Sequence, residues 1–410
     1  MLSSRAAAQE QSPSDIDLDR AIELARSNNS VLLGARHRIA EARGNLTAAS
    51  VLLATNPQLA ARAGQRGESS TGSSSNFEFE VELQQKFEIG GQRRQRIGRA
   101  KAQLQASEQS TQDVFRVVEL AVATAFFEGI AAQRRVQIRE ESLRLAERLF
   151  DVAAKRLERG AGVPLDVNTA RIRRAEAKRR LLAANSNKRS VLLRLQMLLG
   201  LPATRNLALK GSLPVAQPKQ NGDALVMRAL EKRPDLRALT RQIEAAKATV
   251  QLADAEAWPD VSVGVSYGVE EDVSVVMGGI RFTLPVFNRN KGERKRARAA
   301  LNRMRAASSS RKVDIESELR QALLSYEQAR SALELYDDEV LDAQEESLKL
   351  LQGAFQAGDI GIPDVIVLQR EILESREGYL NVRLALAQAH AAVLAAAALP
   401  QITTQKVSIP

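Results

Sequence analysis

The chain repeats itself. Gly160 and Gly358, Asp166 and Asp364, and the dipeptides Leu201-Pro202 and Leu399-Pro400 form three pairs of landmarks, each pair separated by 198 positions. Three landmarks at one spacing mark an internal duplication, which restricts the fold to two copies of one supersecondary unit. The earlier part of each copy matches at slightly larger spacings. Asn56-Pro57 corresponds to Trp258-Pro259, 202 positions on. Phe87, Gly90-Gly91 and Arg94 correspond to Phe287, Gly292 and Arg294. The stretch from Gly211 to Gly222 is rich in Pro, Gly and Asn and reads as a linker. The predicted organisation is an N-terminal segment 1–14, a first repeat 15–209, a linker 210–222, a second repeat 223–400 and a tail 401–410.

Each copy reads as helix, strand pair, very long helix, tight turn and long returning helix. Residues 92–157 contain no Pro and only Gly98 and Gly129. Leu143, Ala146, Leu149, Phe150, Ala153 and Leu157 recur there at helical spacing. Such a helix would be about 100 Å long at a rise of about 1.5 Å per residue. Residues 293–357 carry the same pattern. After each glycine turn a helix of about 35 residues is expected to return. Helices of that length cannot bury themselves in a globule and must pair, as coiled coils do. Aromatic residues make up only 4% of the chain, which agrees with paired helices rather than a thick aromatic core.

Between the helices the period changes to two. Phe77, Phe79, Val81, Leu83 and Phe87 share one face of a strand, and Glu78, Glu80, Glu82, Gln84 and Lys86 the other. Val261, Val263, Val265, Tyr267 and Val269 oppose Ser262, Gly264, Ser266 and Gly268 in the same way. This alternation suits a membrane β-barrel strand, apolar toward lipid and polar toward the lumen. It suits an amphipathic hairpin on a soluble protein equally. Partner strands are expected at 58–67 and 273–284. The Ser/Gly tract 67–75 would be the loop of the first hairpin, and Glu270-Glu271-Asp272 the turn of the second. Four strands cannot close a barrel, and an open sheet in lipid leaves backbone groups unsatisfied. If these strands enter a membrane, several chains must share one barrel, and three chains would supply twelve strands.

Composition removes several function classes. There is no Cys, so disulfides and thiolate sites are excluded. His37 and His390 are the only imidazoles. No tetrahedral zinc or soft copper site can be assembled from them, and no cofactor is expected. No phosphate-cradling loop, nucleophile elbow or His-Glu-x-x-His is present, so an enzyme is not expected. Adjacent carboxylates such as Glu140-Glu141 and Glu345-Glu346 point to different helix faces and read as solvated charges. The net charge of +10 allows contact with nucleic acid or anionic lipid, and is accounted for equally by Arg and Lys coating long helices. No run of about 18 apolar residues announces a spanning helix. The first 14 residues lack an apolar centre but contain Ala6-Ala7-Ala8, the kind of small-residue run found at signal cleavage sites. The sequence is expected either to begin after its export signal or to carry a disordered cytosolic N-terminus.

Several stretches together resemble one family. Arg233-Pro234-Asp235-Leu236, then Glu244-Ala245-Ala246-Lys247 and Trp258-Pro259-Asp260-Val261, look like the start of a repeat in the TolC family of outer-membrane efflux proteins. Phe282-Thr-Leu-Pro-Val-Phe287 followed by Asn288-Arg-Asn-Lys-Gly292 resembles its strand-to-helix exit. Phe355-Gln-Ala-Gly358, then Asp364-Val365, resembles its periplasmic turn. Phe87-Glu-Ile-Gly-Gly-Gln-Arg-Arg94 is most similar to the heavy-metal (CzcC-type) branch, although Gln92 stands where that branch favours Lys. The fold implied is mostly α with a small β part: a tandem-repeat, long-helix α-barrel protomer contributing four strands to a shared trimeric transmembrane β-barrel. The implied function is a passive outer-membrane duct with a long periplasmic part. Its partners would be two further copies of itself, outer-membrane lipid, a periplasmic adaptor and an inner-membrane proton-driven pump of the RND type, and not nucleic acid. Drug efflux, type I secretion and a soluble basic coiled-coil protein are the competing readings.

The resemblance also assigns roles. Gly160, Val163, Pro164, Asp166, Gly358, Ile362 and Pro363 would form periplasmic tips that meet the adaptor, besides capping their helices. Asp364 matches the first of the family's two gating aspartates, but the second position is Val367, which puts a double gate in doubt. Asp364 reads equally as an acid stabilised by the dipole at a helix N-terminus. Glu78, Glu80 and Glu82 would face the lumen, either as stacked acidic rings or simply as the polar lining that a water-filled barrel needs.

Overall fold

The computed structural model describes residues 14–66, 76–214, 221–270, 273–282, 284, 286–357 and 360–400. Gly358, the 67–75 loop, residues 271–272, the middle of the linker and the tail lie outside them. The elements run β1 (Ser14–Ile16), α1 (Leu18–Asn28), α2 (Ser30–Ser50), β2 (Gln58–Arg66), β3 (Asn76–Phe87), α3 (Gln92–Glu158), α4 (Pro164–Leu199), β4 (Leu207–Leu209), α5 (Gly222–Lys232), α6 (Pro234–Ala255), β5 (Val261–Glu270), β6 (Val273–Phe282), α7 (Lys291–Glu334), α8 (Asp338–Ala357) and α9 (Ile362–Ala396). Long helices dominate, as the sequence predicts. The chain forms two compact units. One gathers residues up to Gly34, Asp113–Arg233 and the residues from Asp314 on; the other gathers Ala35–Gln112 and Pro234–Val313. Each unit therefore draws on both repeats.

In the first unit a core of Val122, Phe126, Leu195 and Leu199 is closed by Ile16 and Leu209. These last two end a short parallel pair, β1 with β4, registered Ser14 to Leu207 and Ile16 to Leu209. A three-residue pair is too short for periodicity to reveal. The opening helix of each repeat is broken in two, where the sequence pattern runs on. Asn29 makes the first break: its side-chain oxygen accepts from the N–H groups of Val31 and Leu32 at 3.0 and 3.2 Å, and its amide donates to Leu198 O at 2.8 Å. That is an N-cap, satisfying donors the new helix cannot pair itself. Arg233 makes the second break, because a residue before Pro is pushed out of the helical region. Its side chain is 0% exposed, and Nη1 donates to Glu318 Oε2 at 2.7 Å.

A third break separates α7 from α8, where the sequence predicts one helix. Asp337 caps α8 by accepting from Val340 N–H at 2.9 Å. The Tyr336 hydroxyl fills the space a side chain would need at Gly378, and its ring sits 5.6 Å from that of Tyr379.

The returning helices end on the same device in both repeats. Gly200 has φ 66°, and Leu201 N–H bonds to Gln196 O at 2.9 Å while Gly200 N–H bonds to Met197 O at 3.2 Å. At the equivalent position stands Ala398, with φ 51° and the matching bonds Leu399 to Leu394 at 2.8 Å and Ala398 to Ala395 at 3.2 Å. A left-handed conformation costs a residue with a Cβ about 1–2 kcal/mol, partly offset by the greater entropy glycine loses on folding. Ala398→Gly is therefore expected to stabilise the protein by about 0.5–1 kcal/mol. Gly200→Ala is expected to lose more than about 2 kcal/mol, because its Cβ would also press on the Asn28 carbonyl. Denaturation midpoints in detergent check both. A stabilised Gly200→Ala protein would show the strain argument to be wrong.

The second unit holds a four-stranded sheet in the order β2-β3-β5-β6, antiparallel throughout. The two hairpins meet through β3 and β5, with Val81 opposite Tyr267 and Leu83 opposite Val265. Among the described residues β2 and β6 each pair on one side only. The strand limits fall at Gln58–Arg66 and Val273–Phe282, close to the expected 58–67 and 273–284. Beyond β3 the chain turns at Gly90-Gly91. A Cβ on Gly90 would meet Ala255 O and the Trp258 side chain, and Gly91 has φ 79°, so both positions require glycine. Gln92, the departure from the branch pattern, is buried and donates to Asp260 Oδ1 at 3.0 Å; Lys86 reaches the other oxygen at 2.5 Å. In the same unit Asp235 holds Arg311 Nε at 2.8 Å.

Candidate functional site

Two surfaces carry the sequence-predicted residues, and each belongs to one unit. The first comprises the helix turns. α3 ends in a Schellman motif: Ala161 N–H bonds to Arg156 O at 2.9 Å, Gly160 N–H bonds to Leu157 O at 3.0 Å, and Gly160 takes φ 73°. Val163 then caps α4 in extended conformation, and Pro164 begins it. The second return helix begins one residue earlier than expected, at Ile362, with Gly361 as its cap and Pro363 second. Val167 and Val365, equivalent by repeat, are buried in one apolar cluster with Leu149, Leu351 and Phe355. That cluster joins the two turns.

The turn residues do not all face outward. Val163 and Pro164 are exposed, as are Gly160 and Pro363, and Asp166 is half-buried in the first turn of α4. Ile362 is only 3% exposed and belongs to the apolar cluster, so its place is packing within the tip rather than its outer surface. Gly358 lies outside the described residues. Asp364 is exposed, and its carboxylate accepts from Gly361 N–H at 3.3 Å. It sits in the first turn of its own helix, where the helix dipole favours an acid. The outward apolar residue the sequence reading passed over is Leu165, 71% exposed beside Val163; Val367 and Leu368 expose similar surface on α9. The signal was available: an apolar residue one place after a helix-initial Pro, on the face opposite the buried Val167.

Behind the turns, polar links tie α3, α4 and α9. Arg139 pairs with Glu377 at 2.5 Å and Arg376 with Glu141 at 3.0 Å. Gln369 donates to Ser142 at 3.4 Å and Arg173 to Ile366 O at 3.3 Å. Burial and the neighbouring Arg180 and Arg370 lower the Arg173 pKa. Hydrogen bonds from Arg179 and Arg180 hold the Glu176 carboxyl at about 2.

The second surface is the sheet. One face gathers Leu59, Phe77, Phe79, Leu83, Phe87, Val263, Val265, Tyr267, Val276, Ile280 and Phe282 by register. Most of these are exposed; Ile280 is 69% exposed. Trp258 and Phe287, just outside the strands, are exposed as well. The opposite face gathers Glu78, Glu80 and Glu82, as predicted, but it is not an acidic stripe. Arg62 on β2 pairs with Glu80 at 2.8 Å and approaches Glu82 at 3.8 Å, and Arg281 on β6 reaches Glu82 at 3.2 Å. Within the sheet of one chain Glu80 and Glu82 are thus paired with arginines from the edge strands. That pairing rests on cross-strand register, which a single strand's alternation does not contain.

Among the described residues no three His, Cys, Asp or Glu side chains gather into a metal cage. His390 is buried against Tyr326 with Nδ1 unbonded, and burial lowers its pKa. His37 is exposed in the other unit. No described helix is long and apolar enough to cross a membrane.

The family described as "Outer membrane efflux protein" matches residues 21–201 and again 225–399. The chain belongs to the outer membrane efflux protein family. As a member it is an outer-membrane efflux channel protein, and the exposed apolar face belongs to strands rather than to a spanning helix. The cobalt-zinc-cadmium resistance protein CzcC of Cupriavidus metallidurans is 25% identical over 369 residues, covering 90% of this chain and 86% of that protein. The pyoverdine export outer membrane protein OpmQ of Pseudomonas putida is 24% identical over 403 residues, covering 92% and 84%. The solved structure of the outer membrane protein VceC of Vibrio cholerae superposes with a TM-score of 0.75 at 19% identity, covering 93% of this chain and 95% of that one. The efflux-protein fold thus spans nearly the whole chain.

Proposed function

We propose that three copies of this outer membrane efflux protein form one closed duct that passively conducts cargo out of the cell. The observation that carries this is the four-stranded sheet, with two open edges and one exposed apolar face. An open edge in hydrocarbon leaves each unpaired backbone group several kcal/mol short of satisfaction, so the sheet must close with sheets from other copies. Three copies give twelve strands, an even number of the kind such barrels use. The long helices would continue as a periplasmic tunnel ending at the turns. Energy would come from an inner-membrane pump joined through a periplasmic adaptor, and Asp364 would line the inner mouth as well as capping α9. Purified protein in planar bilayers should show discrete channels and run as a trimer in detergent; a monomer without conductance would defeat the reading.

Heavy-metal cations are the proposed cargo. The supporting features are the Phe87–Arg94 turn and the relationship to CzcC over 90% of the chain. The relationship to OpmQ, of nearly the same identity, favours a second reading, export of a larger organic solute. Loss of the gene in the native host should sensitise cells to cobalt, zinc or cadmium under the first reading. Under the second it should sensitise them to organic toxicants instead.

The exposed Val163 and Leu165 would contact the adaptor. Leu165→Glu is expected to reduce cargo resistance at least about tenfold, as loss of a buried interface anchor worth about 1.4 kcal/mol or more would. Trimer content of the outer membrane should not change. Undiminished resistance would remove Leu165 from the docking surface.

A further inference from the structure

The polar face of the sheet carries a feature that the conduit reading does not use. Glu82, in the middle of β3, sits between arginines arriving from both edge strands. Arg62 of β2 donates to Glu80 at 2.8 Å and lies 3.8 Å from Glu82. Arg281 of β6 donates to Gln84 at 2.8 Å and to Glu82 at 3.2 Å. To reach β3, Arg281 must cross β5. The sequence clears its path: the residues of β5 on this face are Ser262, Gly264, Ser266 and Gly268, and Gly264 lies opposite both Gln84 and Gly279. A long side chain at Gly264 would lie across the route. The result is a shallow polar basin of about 350 Å³ with both guanidinium groups at its rim, each with 67% of its side chain exposed.

Charge on this face is mixed. Among the described side chains, Glu80 and Glu82 are met by Arg62 and Arg281, while Lys86 is engaged by Asp260. A ring of carboxylates alone would favour cations; guanidinium groups beside them cancel that field and offer spare N–H donors to anions. Resting on the reading of this face as the lumen of a shared barrel, we infer that Arg62 and Arg281 set the ion selectivity of the pore. They neutralise the glutamate ladder from both edges of each sheet. The barrel then adds little cation preference of its own to that of the Asp364 mouth.

The test is the K⁺/Cl⁻ permeability ratio of the full-length protein in planar bilayers under a KCl gradient. The wild-type ratio is the reference for each variant. Arg62→Gln/Arg281→Gln should raise it at least about threefold, because each protomer then carries uncompensated carboxylates. Glu80→Gln/Glu82→Gln should move it the other way, below the wild-type value. Each single arginine variant should shift the ratio in the same direction by less, which keeps the inference open to refutation should the double variant fail to assemble. Arg62→Lys/Arg281→Lys preserves charge and should leave the ratio in place, whereas a purely structural role would be disturbed by it. The shifts should shrink in about 1 M salt, where the screening length is about 3 Å. Open channels whose ratio does not respond to the Arg→Gln changes would overturn the inference while leaving the conduit standing. A wild-type protein that forms no channels would overturn both.

Discussion

Val265→Arg is expected to abolish outer-membrane trimers, whereas Ser266→Arg, one residue along the same strand, should leave them in place. Val265 lies mid-strand in β5, opposite Leu83 of β3, on the exposed apolar face. Ser266 lies opposite Glu82, on the face with the arginine bridge. A charged residue on the lipid face near the bilayer centre costs about 2–4 kcal/mol. Three copies in one barrel would together cost about 6–12 kcal/mol, enough to remove the assembled state. On the other face the added guanidinium meets water and Glu82, so assembly should survive with altered conductance. Heat-modifiable trimer bands from purified outer membranes would read the difference. Equal behaviour of the two variants would refute the assignment of faces, and with it the barrel.

Arg233→Ala is expected to be the most damaging change away from the sheet. Arg233 has a fully buried side chain and breaks the opening helix of the second repeat. Truncation leaves a cavity and strips Glu318 of the bond at 2.7 Å. Together these should lose about 3–5 kcal/mol. Because the Glu318 side chain is 44% exposed, its carboxylate can be rehydrated, so most of the loss is packing. Arg233→Met, which refills the space, should then recover the larger part, and denaturation midpoints in detergent would show it. A loss below about 1 kcal/mol for the alanine variant would mean the site relaxes around the gap.

How far the sequence disclosed this molecule depended on the range of each signal. Helix lengths and hairpins were legible because their periods, 3.6 and two, run for many residues. Repeat spacing carried the placement of Gly160 and of the helix ends before Leu201-Pro202 and Leu399-Pro400. The breaks at Asn29 and Tyr336 were not legible, because the amphipathic pattern continues through them and their partners, Leu198 and Gly378, are tertiary; the break at Arg233 is local, set by Pro234. The helix ends at Gly160 and Pro164 were legible from residue type, but the burial of Ile362 in the apolar cluster with Leu149, Leu351 and Phe355 is packing that no spacing encodes. The alternation that puts Glu78, Glu80 and Glu82 on one face was legible, but the pairing of Glu80 and Glu82 with arginines was not. Those arginines sit 18 and 199 positions from the glutamates they touch.

In a shared barrel β2 and β6, which among the described residues pair on one side only, would make each chain one half of two contacts. A newly exported protomer would present an apolar face and two rows of bare backbone donors and acceptors at once, the same surface that seeds cross-β aggregates. It would have no native state of its own, only one shared with two sisters and therefore dependent on their concentration. The supply of working ducts would then be governed by how often fresh chains meet before wrong partners claim their edges. Holdase capacity in the periplasm would limit it more tightly than the stability of any finished trimer.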